Sequence, residues 1–175
     1  MRTALLTFAA AALWAAEETD TAQVWHDTTL CVTYRARVAG DYLVIDVTHE
    51  PPWHTYAMDN ELRAKEKLAG KQSLGIDRPT SVAVSGGLEL AGGWHQTPPK
   101  DLSKPELRWF TWGYEGKSQF AAKVKRGSGP VQLQIRGQAC TDTTCKNINV
   151  SLTLPAGSAD SGPPVDLKNL VPVRQ

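Results

Sequence analysis

The sequence lacks the features that mark several common classes of protein. It has 19 lysines and arginines against 18 aspartates and glutamates, so it carries no positive field that would attract nucleic acid or anionic lipid. No segment after the N-terminus is apolar over the ~20 residues that a membrane-spanning helix needs. Cysteine is scarce, and the one close pair lacks the second cysteine or histidine pair of a structural zinc site. We therefore expect no nucleic-acid partner, no membrane-spanning segment in the mature protein, and no metal or other cofactor.

The N-terminus has the pattern of an export signal. An apolar stretch, "ALLTFAAAALWAA", follows Met1 and Arg2; it is too short to cross a bilayer and matches the h-region of a secretory signal. We assign residues 1–16 to this signal, with an amphipathic or buried N-terminal helix as the alternative. Export would place the protein in the periplasm or outside the cell, where disulfides form and persist.

From Val24 onward the chain has the alternation that is typical of β-strands. Apolar and polar residues alternate over 30–38, and a turn at 39–41 leads into a second alternating run, which predicts a hairpin. About seven to nine such strands, separated by turn residues, predict an all-β antiparallel sandwich or barrel in one domain. The residues expected in its core are Leu43, Ile45, Val47, Leu133, Ile135 and Leu152.

Glycine, proline and charged residues divide the rest of the chain. Short strands are expected on either side of Gly86–Gly87, and another after the turn at 127–130. Residues 60–70, "NELRAKEKLAG", begin with an asparagine cap and end with a glycine, which predicts a surface helix. Residues 156–175 contain much Pro, Gly and Ser and predict a flexible C-terminal tail.

The stretch "GQACTDTTCKN" places Cys140 and Cys145 on either side of a short polar loop. If the flanking strands are antiparallel neighbours, opposed Cα atoms lie ~4.5–5.5 Å apart, which is within the range that a disulfide accepts. A bridge across so short a loop adds only roughly 2 kcal/mol in the chain-entropy model, so it is a poor staple. Two interpretations stay open: a structural disulfide, and a redox pair that a partner's thiolate can approach.

The remaining candidates have weaker patterns. Cys31 shares the parity of Arg35 and Arg37 and is therefore expected to face outward, although a buried, inert thiol is the alternative. Three histidines follow a tryptophan, which leaves a shared copper or zinc site as a minor alternative to packing. The tryptophans could also line a sugar-binding face, although alternation would bury most of them. These pairs are Trp25–His26, Trp53–His54 and Trp94–His95.

The cysteine segment also resembles a known family. "VQLQIRGQACTDTTCKNINVSLTLP" is similar to the closing segment of the N-terminal periplasmic domain of the thiol:disulfide interchange protein DsbD. In that family a strand ends in Gln-x-Cys, a short loop carries an Asp, and a second Cys opens the last strand. Upstream, "PPWHTYAMDN", "GGWHQTP" and "WGYEGKSQF" resemble further family segments in the same order. The likeness covers residues 24–155.

The resemblance implies an immunoglobulin-like sandwich with a cysteine pair that alternates between dithiol and disulfide. Cys140 and Cys145 match that redox pair, and Cys145 matches the member that forms the mixed disulfide. The implied partners are thioredoxin-like redox proteins or a separate membrane electron transporter, and the implied activity is protein-disulfide reduction or interchange. The alternative is a non-catalytic, Ig-like binding or structural module with a structural disulfide.

The resemblance also implies that aromatic side chains surround the sulfurs. The family shields its cysteines with an aromatic residue on a cap loop, and Tyr114 falls at that place, with Trp112 and Phe110 as further candidates. Tyr56 matches another aromatic residue near the site.

Overall fold

The computed structural model describes residues 20–71, 73–75, 77–157 and 163–175, and the proposed signal at 1–16 lies outside them. The described chain forms ten strands and one α-helix. None of its helices is long and apolar enough to cross a membrane. The elements are β1 (Thr21–His26), β2 (Thr29–Ala39), β3 (Tyr42–His49), β4 (His54–Tyr56), α1 (Asn60–Lys67), β5 (Ser81–Gln96), β6 (Lys100–Asp101), β7 (Trp112–Tyr114), β8 (Lys117–Cys140), β9 (Cys145–Leu154) and β10 (Val171–Pro172).

Every strand pairing among these elements is antiparallel. The first half of β8 continues the layer β1–β2–β3, whereas its second half pairs with β9, and its last residues pair with β4, which leads to β7 and β6. The strand β5 follows β8 through both halves. The predicted all-β, immunoglobulin-like antiparallel sandwich is confirmed.

Two long strands replace the several short ones that the sequence predicts. Both β5 and β8 run through their glycine-rich segments without ending, and their pairing shifts register just after Gly86. A side chain on Gly86 would collide with the carbonyl of Pro130, and one on Gly87 with the carbonyl of Gly129. The glycines therefore allow the two strands to bend together at close range, where the sequence alone suggests turns.

The core contains the residues that alternation assigns to it. All six predicted core side chains are at most 2% exposed. Cys31 differs from expectation, because it is fully buried in this core. Val24 pairs with Val32 and Trp25 with Leu30, so Cys31 is the extra residue of a β-bulge and the alternation breaks there. Burial raises the pKa of its thiol, which indicates an inert side chain.

The helix α1 ends at Lys67, earlier than the predicted Gly70. Its first residue, Asn60, is not the capping residue that the sequence suggests, since Asp59 holds that position and makes no side-chain cap bond. Asn60 is instead buried and donates a hydrogen bond to Asp77 at 2.8 Å. The side chain of Asn60 therefore links the start of α1 to the segment that contains Asp77, and it does not cap the helix.

The C-terminal segment was expected to be flexible, but its described end is docked. Strand β10 pairs with the end of β5, and Leu170 beside it is buried. Arg174 forms an ion pair with Glu66 of α1, and its backbone N–H donates to Asp59 at 3.2 Å. Backbone pairing and an apolar contact therefore hold residues 166–174 against the sheet, and the flexibility of residues 156–175 stays a prediction. Residues 158–162 lie outside the described chain.

Asp59 joins three parts of the molecule. Its buried carboxylate accepts hydrogen bonds from Arg63 Nε and Gln96 Nε2, each at 2.7 Å, and from the backbone of Arg174. Burial alone would raise the pKa of Asp59, but these hydrogen bonds outweigh it and hold the pKa below its ordinary value. Gln96 in turn accepts from the Tyr114 hydroxyl at 2.9 Å, so helix, sheet and C-terminus share one polar network.

The network predicts a large loss of stability on removing its carboxylate. Asp59→Ala leaves the buried donors of Arg63 and Gln96 without their acceptor, and we expect it to lower the free energy of unfolding by roughly 3–5 kcal/mol. Urea unfolding measures this change. The control is Asp20→Ala, which removes an exposed ion pair with Arg35 and is expected to cost about 0–1 kcal/mol. Equal losses in the two variants would contradict the role of Asp59.

His49 is a second buried polar residue, at the end of β3. Its Nδ1 lies 2.8 Å from the Gly116 carbonyl oxygen and its Nε2 lies 2.7 Å from Thr55 Oγ1. A carbonyl only accepts, so Nδ1 carries the proton and Nε2 accepts from the threonine hydroxyl in the neutral ring. Burial lowers the pKa of His49, although the carbonyl of Gly116 partly offsets this effect.

The lowered pKa of His49 predicts that the protein loses stability as the pH is lowered. Below the ordinary histidine pKa of ~6.5, the unfolded chain takes up a proton that the native ring resists, so the free energy of unfolding decreases as the pH falls. We expect His49→Gln to flatten this decrease between about pH 7 and pH 5, as measured by urea unfolding. Identical slopes for the wild type and the variant would rule out His49 as the source.

Candidate functional site

The two cysteines face each other across a tight hairpin. Cys140 ends β8, Cys145 begins β9, and the two are Cα partners 4.1 Å apart, joined by a disulfide. Inside the turn, the backbone N–H of Thr141 donates to the Thr144 carbonyl at 2.8 Å. The predicted pairing of these cysteines across a four-residue loop is therefore present, with the loop held by its own hydrogen bonds.

The two sulfurs differ in their access to solvent. Cys140 is fully buried, whereas Cys145 is exposed. On β8, Cys140 has β4 as a second neighbouring strand, with His54 as its Cα partner, while among the described strands only β8 pairs with β9. A reagent therefore meets Cys145 first, an asymmetry that strand alternation alone does not reveal.

A cleft of about 530 Å³ lies beside the hairpin. Four segments line it: residues 51–54 leading into β4, residues 102–111, the turn at 115–116, and residues 141–142 of the hairpin. We call residues 102–111 the cleft loop. The cleft therefore adjoins the residue that follows Cys140, and a partner that enters it would come next to the disulfide.

One ion pair joins the cleft loop to the hairpin. Lys104 Nζ lies 2.9 Å from Asp142 Oδ1, and it also lies 5.6 Å from the ring centroid of Trp109. The hydrogen bond from Lys104 lowers the pKa of Asp142, which is otherwise exposed. This ion pair connects the cleft loop to the turn of the cysteine hairpin, and we call it the Lys104–Asp142 latch.

The far side of the cleft loop is anchored by Asp77. Its carboxylate accepts hydrogen bonds from Trp109 Nε1 and Thr111 Oγ1, each at 2.6 Å, and from Asn60 Nδ2. Asn60 also accepts from the backbone N–H of Trp112 at 2.7 Å. These bonds hold the end of the loop near α1, and paired backbone hydrogen bonds between Lys104 and Trp109 join its two sides.

His54 faces the buried sulfur. It is the Cα partner of Cys140, so the two side chains lie on the same face of the sheet. Its Nε2 lies 3.4 Å from the hydroxyl of Tyr56, and the two rings meet edge to face. Burial lowers the pKa of His54, an effect that the carboxylates of Glu115 and Asp142 partly offset. The structure thus places Tyr56 two residues from His54, in contact with it, near the cysteine pair.

Tyr114 lies in the core. Its ring packs edge to face on Phe120 at 5.6 Å, and its hydroxyl donates to Gln96. Its partner in β4 is Thr55, which pairs in turn with Ala139, the residue before Cys140. Alternation therefore turns Tyr114 toward the face opposite Cys140, which is not the placement of a cap over the sulfurs.

The other two cap candidates also have contacts elsewhere. Trp112, two residues before Tyr114, packs its half-buried side chain against the core. Phe110 lines a second cavity, beside α1. The shielding role of these aromatic residues stays a prediction that their contacts do not favour. The described residues that line the cleft include His54, Lys104 and Asp142 instead.

Sequence reasoning considered His54 only as a minor metal-ligand candidate and did not identify Lys104 or Asp142. Two of the Trp–His pairs do reach the hairpin, since His54 faces Cys140, and His26 lies 3.5 Å from Thr144 Oγ1 with its ring on Trp53. The adjacent tryptophans suggested packing, and only the β4–β8 register reveals the histidine beside a sulfur. Within the described ranges, no three His, Cys, Asp or Glu side chains gather into a metal site.

No protein-family model and no curated protein matches this sequence. Solved structures do match. The N-terminal periplasmic domain of ScsB from Proteus mirabilis aligns with 81% of this chain at 15% identity and a TM-score of 0.50. The chain spans about half of that structure, 55% of its length.

Two further matches have lower scores. The reduced N-terminal domain of DsbD from Neisseria meningitidis covers 79% of this chain and 87% of its own, at 12% identity and a TM-score of 0.41. The GAE domain of GGA2p from Saccharomyces cerevisiae covers 77% and 97%, at 12% identity and a TM-score of 0.37. The ScsB comparison shows a shared fold, and the chain therefore has the fold of a DsbD-like N-terminal domain.

Proposed function

We propose that the protein is an exported thiol–disulfide exchange protein. It passes reducing equivalents through the Cys140–Cys145 pair to or from thioredoxin-like partners. The observation that carries this proposal is a disulfide that joins one exposed and one buried cysteine beside a cleft. Such asymmetry suits exchange chemistry, in which one sulfur meets the partner and the other resolves the intermediate.

The exchange follows from the positions of the sulfurs. A partner's thiolate attacks Cys145 Sγ, the bond to Cys140 breaks, and Cys140 Sγ keeps the electron pair as a thiolate that is then protonated. A second thiol of the partner attacks the mixed disulfide and leaves Cys145 reduced. The partner is oxidised by two electrons and this protein is reduced by two, and the reverse sequence reduces an oxidised partner.

A purely structural disulfide is the alternative, and the hairpin argues against it. The bridge closes a loop of four residues, a sequence separation of 5, that backbone pairing on β8 and β9 already holds. In the chain-entropy model a cross-link adds less as the loop that it closes becomes shorter. The cross-link therefore adds little that the sheet does not supply.

The partner and the compartment follow from the same features. A loop of a partner protein that entered the cleft would meet the aromatic side chain of Trp109 and the charged side chains of Lys104 and Glu115. The ScsB and DsbD structures with related folds are named as N-terminal domains, the ScsB domain as periplasmic. With the signal expected at residues 1–16, we propose a periplasmic location, a thioredoxin-like partner or separate membrane electron transporter, and protein-disulfide reductase or interchange activity.

Trapping of a partner tests the proposal. In Cys140→Ala the resolving thiol is absent, so Cys145 is expected to hold a thioredoxin-like protein as a covalent adduct that dithiothreitol releases. Cys145→Ala leaves only the buried sulfur and is expected to trap much less. Non-reducing gel electrophoresis and mass spectrometry of the adduct measure the difference. Absence of adduct in both variants, together with a wild-type disulfide that glutathione does not reduce, would favour the structural alternative.

The Lys104–Asp142 latch predicts the rate at which the disulfide is reduced. Exposed ion pairs are weak, so Lys104→Met is expected to speed reduction by dithiothreitol only roughly two- to fivefold. Lys100→Met is the matched control, because Lys100 pairs with Glu115 at 3.1 Å and not with the hairpin. Tyr114→Leu tests the aromatic shield in the same assay. If Tyr114→Leu alone speeds reduction of the disulfide, in protein that remains folded, then Tyr114 and not the Lys104–Asp142 latch controls access to it.

A further inference from the structure

The buried resolving cysteine faces a chemical difficulty. The thiolate, not the thiol, is the nucleophile, and apolar surroundings disfavour a thiolate. Cys140 is fully buried, so water has poor access to the proton that its thiol must lose before it attacks. A neighbouring base would remove this barrier.

We propose that His54 is the general base that takes the proton of the Cys140 thiol when Cys140 resolves the mixed disulfide. This inference rests on the proposed exchange function. The register of β4 and β8 makes His54 and Cys140 direct cross-strand partners. In such a pair the Cβ atoms lie ~4.5–5.5 Å apart on one face of the sheet, within reach of an imidazole and a thiol.

The surroundings of His54 fit this role. The proposed step uses the tautomer in which Nε2–H donates to the Tyr56 hydroxyl oxygen at 3.4 Å, since Nδ1 then carries the lone pair that accepts a proton. The ring lines the cleft and is half-buried, so it reaches both the interior sulfur and solvent. The imidazole can therefore take a proton from Cys140 and release it toward the cleft.

Burial keeps the ring of His54 neutral near pH 7. Burial lowers the pKa of His54 and Lys104 lowers it further, against three carboxylates that raise it. A neutral imidazole is the form that acts as a base. The titratable groups around the ring are Glu115, Asp142, Asp77, Lys104, His49 and Tyr56.

The step balances as follows. Cys145 is joined to the partner's sulfur, and the Cys140 thiol gives its proton to His54 Nδ1. The Cys140 thiolate attacks Cys145 Sγ, a new Cys140–Cys145 bond forms, and the bond to the partner breaks with its electron pair on the departing sulfur. The imidazolium then returns the proton to that leaving thiolate. The protein ends oxidised by two electrons, and the partner ends reduced by two.

Stopped-flow reaction of the reduced protein with dithiobis(nitrobenzoate) separates the two sulfurs. Cys145 releases the first nitrothiobenzoate, and Cys140 releases the second when it resolves the mixed disulfide. A slower third release belongs to buried Cys31. General bases contribute ~10²–10⁴-fold, so His54→Gln is expected to slow the second release about 100-fold near pH 7 and to leave the first within roughly twofold.

The pH profile separates a base from a structural residue. In the wild type, the second release is expected to slow as the pH falls through the lowered pKa of His54, because the ring becomes protonated there. In His54→Gln, it should instead rise about tenfold per pH unit toward alkaline pH, with hydroxide as the base. The wild-type profile needs no substitution, so it tests the proposal even if the variant folds poorly.

His26→Gln is the matched control, since His26 also contacts the hairpin but pairs with Thr29 in the register. The proposal is overturned if His54→Gln leaves the rate and pH profile of the second release unchanged, or if His26→Gln alone removes it. Failure of the exchange function has a different signature, in which Cys145 releases its first equivalent no faster than a peptide thiol and Cys140→Ala traps no partner.

Discussion

The pairing of β4 with the last two residues of β8 is the contact on which the site depends. It sets Thr55 beside Ala139 and His54 beside Cys140. Because the side chains of a strand alternate, this one register directs Thr55 toward the buried His49 and His54 toward the cleft. A shift by one residue would exchange the two, and the polar residue beside the sulfur would become a threonine.

The same pairing makes the two cysteines unequal. In an isolated hairpin the two closing residues have equivalent surroundings, since each has one neighbour across the turn. The addition of β4 on the far side of β8 encloses Cys140, while Cys145 opens onto solvent. Thus the asymmetry comes from the third strand of the local sheet and not from the motif that contains the cysteines.

This origin explains what the sequence could and could not predict. Period-two alternation is a local property, so the core positions such as Ile45 and Leu133 and the antiparallel class followed from it. The cysteine hairpin was local as well. Cys31 was misplaced because one bulge reverses the parity of the strand, and a bulge leaves no clear mark in the sequence.

The non-local contacts lay beyond sequence reasoning. Lys104 and Asp142 are 38 residues apart, and His54 is farther still from Cys140, so no spacing rule connects them. The sequence resemblance suggests that Tyr114 caps the cysteine pair, yet its hydroxyl donates a hydrogen bond to Gln96 in the core. Position within a motif predicts which strand carries a residue. It does not predict which face that residue adopts when a neighbouring strand changes the register.

Stability is distributed unevenly around the cleft, and this distribution determines which part can move. Buried carboxylate networks at Asp59 and Asp77 hold α1, the C-terminus and the far end of the cleft loop. By contrast, the exposed pair between Lys104 and Asp142 joins the loop to the hairpin, and such pairs contribute little and weaken with salt. Local opening draws on the weakest contacts first. The Lys104–Asp142 pair is therefore the weak contact between the cleft loop and the hairpin, because backbone hydrogen bonds between Lys104 and Trp109 hold the two sides of the loop together. Loss of this pair frees the hairpin turn at Asp142 and leaves the register that sets His54 beside Cys140 intact.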